Sequence, residues 1–493
     1  MQRLFTRNSF STISPLQQLL SLGDTHCDES LVEAALGCDF QQAGVLASDA
    51  LEKWREILAV VLTLRSNNSF ETCLPHLLKR WRHLRTVAPW PESQLLSAYQ
   101  AVVGALLVHR PLNALPELSI HQLPGGACPL ETSGYSGSGE VPHPMFHAEL
   151  GCLLFLYAEI TGSTYHLKTA LRLTEWQKNT LDYSCIPFAG LFSREGEAAE
   201  PLLVVHNLIL FSAAAKASGE GETPIIWRLS QRLEEVDLLT IPAYLSALAQ
   251  VFILGTAVQE HQKDRDSEVE SAPLGVTIQD VSLALAGCRS EKVSAVATLF
   301  GGGSGMGCYH TGDIQIVSFG PQHMPLNDCR GFGLEGSGRL LAEQVREVRS
   351  ADEEFVVAGT MRMVSASYKL GPSGIWIDAC QKFKNDILTI ETTFLDFPDD
   401  CSLAFSFFVR CPVCKVKGKT IKPRSLDRYF GASDLIYLEG LTSSIEITPA
   451  QLHSEMHVIP LGGEDNFWGA DFLLSFILPP TQKQFSWTVR LAI

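Results

Sequence analysis

Cationic side chains are scarce: 38 Lys and Arg face 54 Asp and Glu, leaving a formal charge of -16. That shortage excludes a general nucleic-acid binder, because sequence-independent affinity for phosphate rests on a net positive surface. Long apolar runs are missing as well. The longest, Ala101 to Val108 and Pro201 to Ser212, fall short of the ~20 residues that span a bilayer, so no transmembrane segment is expected. The first twenty residues hold Arg3, Arg7 and several Ser and Thr, with no acid before Asp24 and no apolar stretch of the secretory kind. They predict a flexible N-terminal segment over 1–29 and a chain that is cytoplasmic, or exported without a cleavable secretory signal peptide.

Several catalytic and cofactor signatures are also missing. There is no Gly-x-x-x-x-Gly-Lys-Ser/Thr loop, Gly-x-Ser-x-Gly elbow, His-Glu-x-x-His helix, dinucleotide fingerprint or kinase motif, and no cofactor is expected. Thirteen cysteines, an odd number, are scattered without a small-domain framework, and several sit in apolar runs as Cys152 does. A reducing compartment accounts for them most simply. Cys411-Pro-Val-Cys414 has the spacing of half a zinc site, but no second pair follows at a suitable distance. A redox role for the pair stays open, because Lys415 would lower a neighbouring thiol pKa. His143 with His147, and His453 with His457, lack a third ligand, so no metal is expected.

What the chain does have is apolar material, 46% of its residues, arranged with two different periods. From residue 30 to 258 apolar positions recur at three and four. Leu51, Trp54, Ile57, Leu58 and Val61 form one stripe; Leu95, Leu96, Tyr99, Val102, Val103, Leu106 and Leu107 form another. Further helices are predicted from His147 to Ile160, Tyr165 to Asp182, Leu202 to Ala217, Pro224 to Leu238 and Pro242 to Val258. Eight to ten helices suffice for pairs arranged around a ring or arc. The Gly, Ser and Pro-rich stretch from Pro124 to Pro144 is too long for an ordinary helix connection. The charged run 259–273 marks a linker. From Leu274 the period becomes two, with strands predicted over 313–319, 354–364, 387–394, 403–409 and 485–493. The fold class is therefore α+β: a helical, toroid-like domain over 30–258 followed by an antiparallel β-sandwich over 274–493.

Three groups of residues carry chemistry. The glycine-rich run Phe300 to Pro321 reads as a loop that delivers Tyr309, His310 and Asp313 to a groove before a strand begins. In the helical half, Asn179 and Tyr183 lie four apart on one helix face, and the polar pair His206-Asn207 interrupts the apolar run Leu202 to Leu210. A polar pair in a buried helix must be hydrogen-bonded or face a cleft. The strip from Arg410 to Arg428, which includes Lys415, Lys417 and Lys419, holds one acid, Asp427. It reads as a contact for an acidic glycan or an acidic protein, or as a solvated edge hairpin.

A helical half, a large sandwich, and the segment His310-Thr-Gly-Asp313-Ile-Gln-Ile-Val-Ser-Phe319 leading into a strand together resemble polysaccharide lyases of the heparinase II/III and chondroitin AC lyase type. The resemblance implies an α/α toroid with an antiparallel sandwich and β-elimination on a uronate-containing glycan. Such a reaction needs a base for the proton beside the carboxylate and groups that neutralise the developing charge. It would place Tyr183 or Tyr309 as base or acid, His206 and His310 as proton-handling groups, and Asn179 or Asn207 as carboxylate neutralisers. Asp313, Lys415, Lys417 and Lys419 are the ligand-binding candidates. The function expected is thus a carbohydrate-active or carbohydrate-binding protein acting at the groove between the domains. The alternative is a non-enzymatic interaction protein or exported effector that uses the same scaffold to bind a protein.

Overall fold

The computed structural model describes residues 47–66, 70–87, 93–108, 118–129, 142, 144–181, 200–219, 223–233, 241–253, 276–300, 305–323, 339–364, 375–395, 403–451, 453–461, 470–479 and 481–492. The charged linker expected at 259–273 and the N-terminal segment over 1–29 lie outside them.

Among the described residues the first half holds eight α-helices: α1 (Ala47–Ser66), α2 (Phe70–Val87), α3 (Gln94–Leu107), α4 (Pro144–Thr161), α5 (Thr164–Asn179), α6 (Glu200–Ser218), α7 (Pro224–Leu233) and α8 (Ala243–Phe252). Their ends follow local chemistry. Ser93 opens α3 by accepting from Leu96 N, and Ser163 opens α5 by accepting from His166 N. Pro occupies the first position of α4 and α7, where its missing N–H costs nothing. Gly162 ends α4 in the left-handed region at φ 68°, a conformation that glycine adopts without strain. The helices pack in a cycle, α1 on α3, α3 on α4, α4 on α6, α6 on α8 and α8 back on α1. Helix α2 packs against α1 and α3, α5 against α4 and α6, and α7 against α6. Trp54, Tyr99, Leu153, Leu208 and Leu248, all at most 1% exposed, mark the common core of this ring.

The second half is a sandwich of two nine-stranded antiparallel sheets. Its first strands are β1 (Val276–Asp280), β2 (Leu285–Arg289), β3 (Ser294–Thr298), β4 (Gly307–Thr311), β5 (Ile314–His323), β6 (Arg339–Ala351), β7 (Glu354–Val364), β8 (Ile375–Lys384) and β9 (Ile387–Phe394). The rest are β10 (Leu403–Arg410), β11 (Val413–Val416), β12 (Lys419–Ile421), β13 (Tyr429–Ser433), β14 (Ile436–Glu439), β15 (Ser444–Pro449), β16 (His453–Pro460), β17 (Phe472–Leu478) and β18 (Gln484–Leu491). One sheet runs β1-β2-β3-β4-β5-β10-β17-β16-β13, the other β12-β11-β14-β15-β18-β9-β8-β7-β6. The alternation seen at Phe485, Trp487 and Val489 puts these three in the core, where Trp487 stacks on Phe405 at 3.8 Å between ring centroids.

The glycine-rich segment differs from the expected loop. Strand β4 already begins at Gly307, and Tyr309 and His310 lie inside it, paired with Ile316 and Gln315 of β5. Glycine is needed there: a Cβ on Gly307 would stand 2.2 Å from Val296 O, so the strands approach only because that atom is missing. The turn to β5 is short, Gly312-Asp313, with Gly312 at φ 51°.

The two halves meet at a small apolar patch. Leu123, Ala127 and Trp176 of the helical half pack on Ile278, Leu283, Leu285, Val296 and Cys308 of β1 to β4. Trp176 Nε1 donates to Asp280 Oδ2 at 2.7 Å, and both side chains are buried. At the sandwich's flank the two sheet edges are tied together. Gln279 Nε2 of β1 donates to Val348 O of β6, Ser350 N of β6 donates to Gln279 Oε1, and Ser350 Oγ donates to Gly287 O.

Candidate functional site

Two polar constellations stand out, one in each half. In the ring, each helix of the cycle contributes one polar side chain to a common hub: Arg55 from α1, Tyr99 from α3, Glu149 from α4, His206 from α6 and Tyr244 from α8. Arg55 donates to Glu149 from Nε at 2.8 Å and Nη2 at 2.6 Å, a fork that matches the carboxylate. Tyr99 donates its hydroxyl to the same carboxylate. His206 Nδ1 donates to Leu202 O at 2.7 Å, and its Nε2 accepts from the Tyr244 hydroxyl at 3.1 Å while standing 3.8 Å from Glu149 Oε2. The Arg55 guanidinium lies 4.7 Å from the centre of the Tyr244 ring.

Electrostatics in the hub are set by burial. Burial alone would raise the Glu149 carboxyl, yet the Arg55 guanidinium beside it holds it below its ordinary value. Burial lowers His206 to about 4, against the pull of Glu149 and with the repulsion of Arg55, so the imidazole is neutral near neutral pH. Tyr99 and Tyr244 are raised well above the ordinary tyrosine value, first by burial and next by Glu149. Glu149 and His206 are 0% exposed. The hub is therefore a satisfied ion and hydrogen-bond network whose Tyr99, Glu149 and His206 are fully buried, and only Arg55 reaches an exposed partner, Glu52.

Beside it runs a second set of bonds. His147 Nδ1 donates to Gln177 Oε1 at 2.8 Å, its Nε2 accepts from Cys128 N at 3.1 Å, and burial lowers it to about 4. Gln177 Nε2 donates to Asn207 Oδ1 at 3.1 Å, whereas Asn207 Nδ2 is buried without a hydrogen-bond partner. His147 also meets Trp176 edge-on at 4.7 Å, which links this set to the contact between the halves.

The sandwich carries the other constellation. Pairing places Arg289 opposite Ser294, Ser294 opposite His310, His310 opposite Gln315, and Gln315 opposite Arg410. Residues directly opposite in antiparallel strands share a face, so these five form one row across β2, β3, β4, β5 and β10. Two residues along the same strands, Val296 and Cys308 pack against the helical half, which puts the row on the same face, immediately beside that contact. All five side chains are partly buried. Arg410 Nη1 donates to Gln315 Oε1 at 3.1 Å. His310 Nε2 and Ser294 Oγ are each shielded from solvent with no hydrogen-bond partner. Burial lowers His310 to about 3, helped by the positive charges of Arg410 and Arg289.

The remaining predicted residues are dispersed. Asn179 is the exposed last residue of α5, and Tyr183 and His143 lie outside the described residues. Tyr309 points to the sandwich core from the opposite face to His310 and donates to Asp386 O at 2.6 Å. Asp313 accepts from Leu441 N, from Thr442 N at 3.4 Å and Oγ1 at 3.1 Å, and from Ser443 Oγ at 3.3 Å, so it braces the turn between β14 and β15. Lys415 pairs with Glu439 at 2.7 Å and Lys417 with Asp434 at 3.2 Å, and Lys419 donates to Arg428 O at 2.7 Å. Cys411 and Cys414 are buried where the chain crosses between sheets, and burial pushes the Cys414 thiol up to about 12. His453 and His457 both lie on β16, and His457 Nε2 bonds Glu455 at 2.7 Å. Among the described residues no group of three or more His, Cys, Asp or Glu is placed to hold a metal ion. No described helix is long and apolar enough to cross a membrane.

The structure thus does not join His206 to His310: the first is closed inside the ring, the second lies on the sandwich face. Sequence reasoning missed most of both constellations. The available signals were a charged residue within an apolar stripe, Arg55 between Trp54 and Ile57, and the period-two position of Arg289, Ser294 and His310.

No protein-family model matches this chain, and no curated protein matches it. Solved structures do. The Streptomyces coelicolor A3 chondroitin AC lyase aligns with 97% of this chain and 74% of its own, at 12% identity and a TM-score of 0.44. The heparan sulfate lyase HepC from Pedobacter heparinus aligns with 94% of this chain and 77% of its own, at 10% identity and a TM-score of 0.33.

Proposed function

We propose that this chain is a carbohydrate-binding protein of lyase-like build that holds an acidic glycan against the sandwich wall of the groove between its two halves. The observation that carries this reading is the row Arg289, Ser294, His310, Gln315 and Arg410, lying beside the contact with the helical half. Four strand spacings make it roughly 19 Å long. Cations at both ends with neutral donors between them suit an elongated ligand with repeated anionic groups better than a compact ion. On a chain of formal charge -16, such a local strip is what allows a polyanion to approach.

Elimination is the second reading. The hub holds Arg, Tyr and His side chains, the types that chemistry beside a uronate carboxylate uses, and His310 and Tyr309 stand on the sandwich side. Binding is preferred because Tyr99, Glu149 and His206 of the hub are fully buried and the Tyr309 hydroxyl is committed to Asp386 O. A panel of acidic glycans separates the two. The binding reading expects saturable, salt-sensitive binding without new unsaturated-uronide absorbance. Growth of that absorbance, abolished in His206→Ala, establishes elimination and overturns the preference. Absence of both binding and absorbance across the panel removes the carbohydrate function and leaves the protein-partner alternative.

A further inference from the structure

We propose that the exposed face of α2 docks an acidic amphipathic helix of a partner protein, with the partner's carboxylates against Lys79, Arg82 and Arg85 and its apolar side chains on Leu74 and Leu78. The inference goes beyond the glycan reading and does not rest on it.

The surface follows from helical spacing. In α2 the buried residues Phe70, Cys73, Leu77, Trp81 and Leu84 recur at three and four and face the ring. The opposite side is basic: Lys79, Arg82, His83 and Arg85 are exposed, and the one acid of the helix, Glu71, sits in its first turn. Lys79 lies three and four positions before Arg82 and His83, and Arg82 three before Arg85, so these side chains are neighbours on one surface. Helix C-termini attract cations, which accounts for Arg85 in the last turn; Lys79 and Arg82 stand farther in. Arg85 also lies over the Trp81 ring, 4.9 Å from its centre. Lys79 and Arg82 make no ion pair among the described residues, whereas Lys53, Lys415 and Lys417 are each paired with an acid.

Leu74 and Leu78 decide the class of partner. They lie one turn apart, half-buried, at the border between the core-facing stripe and the cations, with Arg82 four positions beyond Leu78. From Leu74 to Arg85 the strip is roughly 16 Å long, about three turns of helix, which suits a second helix lying alongside. A sulfated or uronate glycan would use the cations and leave both leucines in water. A bilayer would need the apolar side of α2, which the ring already holds. An acidic helix with leucines beside its carboxylates engages both kinds of group at once, and on a chain of formal charge -16 a local basic surface is where such a partner can approach.

The test titrates the full chain into a fluorescein-labelled synthetic helix of about 18 residues, with glutamates along one face and leucines beside them, and reads anisotropy. Saturable binding is expected, with the dissociation constant raised about tenfold or more when Lys79→Glu is combined with Arg82→Glu. A peptide with glutamine in place of each leucine should bind about tenfold more weakly. Lys415→Glu with Lys417→Glu, on the sandwich, changes the net charge equally and leaves the titration nearly unchanged. Both α2 side chains are exposed, and circular dichroism checks the helix; Lys79→Gln with Arg82→Gln gives a smaller loss in the same direction should the reversal disturb folding. Four results overturn the docking surface: no saturable binding, a constant that the α2 variants leave intact, an equal loss in the sandwich variant, or a leucine-free peptide that binds as tightly. Dextran sulfate and phosphatidylserine vesicles are run alongside. Capture of either through Lys79 and Arg82 without peptide binding assigns the surface to a polyanion or a membrane and overturns the proposal.

Discussion

Replacing Glu149 by Leu tests whether the hub is what closes the helical ring. The carboxylate is fully buried and accepts both forks of Arg55 and the Tyr99 hydroxyl, while His206 stands 3.8 Å away. Without it, Arg55, 8% exposed, keeps Glu52, which bonds its Nη1 at 2.5 Å from a side chain that is 60% exposed. Removing one partner of a buried ion pair costs about 3 to 5 kcal/mol, and the solvent-exposed Glu52 offsets little of the charge left on Arg55. For a domain of about 200 residues that corresponds to a fall in Tm of roughly 6 to 20 °C. Far-ultraviolet circular dichroism follows it, since helix belongs to the ring and the sandwich is β. The paired variant Arg55→Met with Glu149→Leu removes both charges and should regain most of the loss, as buried pairs replaced by apolar groups often do. A single variant that melts within about 2 °C of the parent, or a double variant worse than the sum of both singles, would refute the hub as the ring's fastening.

Acid should weaken the same domain. His147 and His206 are held near 4 by burial, below their unfolded value of 6.5, so the unfolded chain binds more protons as the pH drops. Stability is then level above about pH 7 and declines below 6.5, by about 2 kcal/mol for each histidine at pH 5; denaturant titrations that agree at pH 5 and pH 7.5 contradict this. Trp176→Phe deletes the donor to Asp280 Oδ2 and should cost about 1 to 3 kcal/mol at the contact between halves, read in calorimetry as a widening gap between helical and sandwich transitions. A melt unchanged in shape would count against a coupling role for that bond. Charge reversal at Lys415, Lys417 and Lys419 should leave the melt nearly unaltered, because two of the three make half-exposed ion pairs worth under about 1 kcal/mol each. The same triple variant weakens capture of an acidic partner if the hairpin takes part in it, and undiminished capture excludes the strip as a contact.

Periodicity made the fold legible and left the sites obscure, for a physical reason. The stripe through Leu51, Trp54, Ile57 and Leu58 is local, so it located α1, and the alternation of Phe485, Trp487 and Val489 located β18 in the same way. Helix ends drifted by a few residues, as at α5, which was predicted to reach Asp182 and stops at Asn179. Function depends on which residues come together from distant segments. Arg55 and Tyr244 are nearly two hundred positions apart in the chain, and only the cyclic packing of α1 with α8 brings them into contact. His206 was visible because it breaks an apolar run, but the sequence did not say that Leu202 O, Tyr244 and Glu149 enclose it. His310 was singled out on a supposed loop. It lies instead on a strand, and strand register is what aligns it with Arg289 and Arg410.

The joined edges of the sandwich carry a consequence for life in solution at high concentration. The Gln279 side chain of β1 occupies Val348 O and Ser350 N of β6, so at that flank part of the β6 ladder is already taken and closed to another copy. At the far flank the terminal strands are β12 and β13, where Lys419 opens β12 and Lys417, paired with Asp434, sits in the turn before it, so charged side chains border that edge. A version of this protein neutralised at those two positions would be the one to watch for slow, concentration-dependent fibre growth.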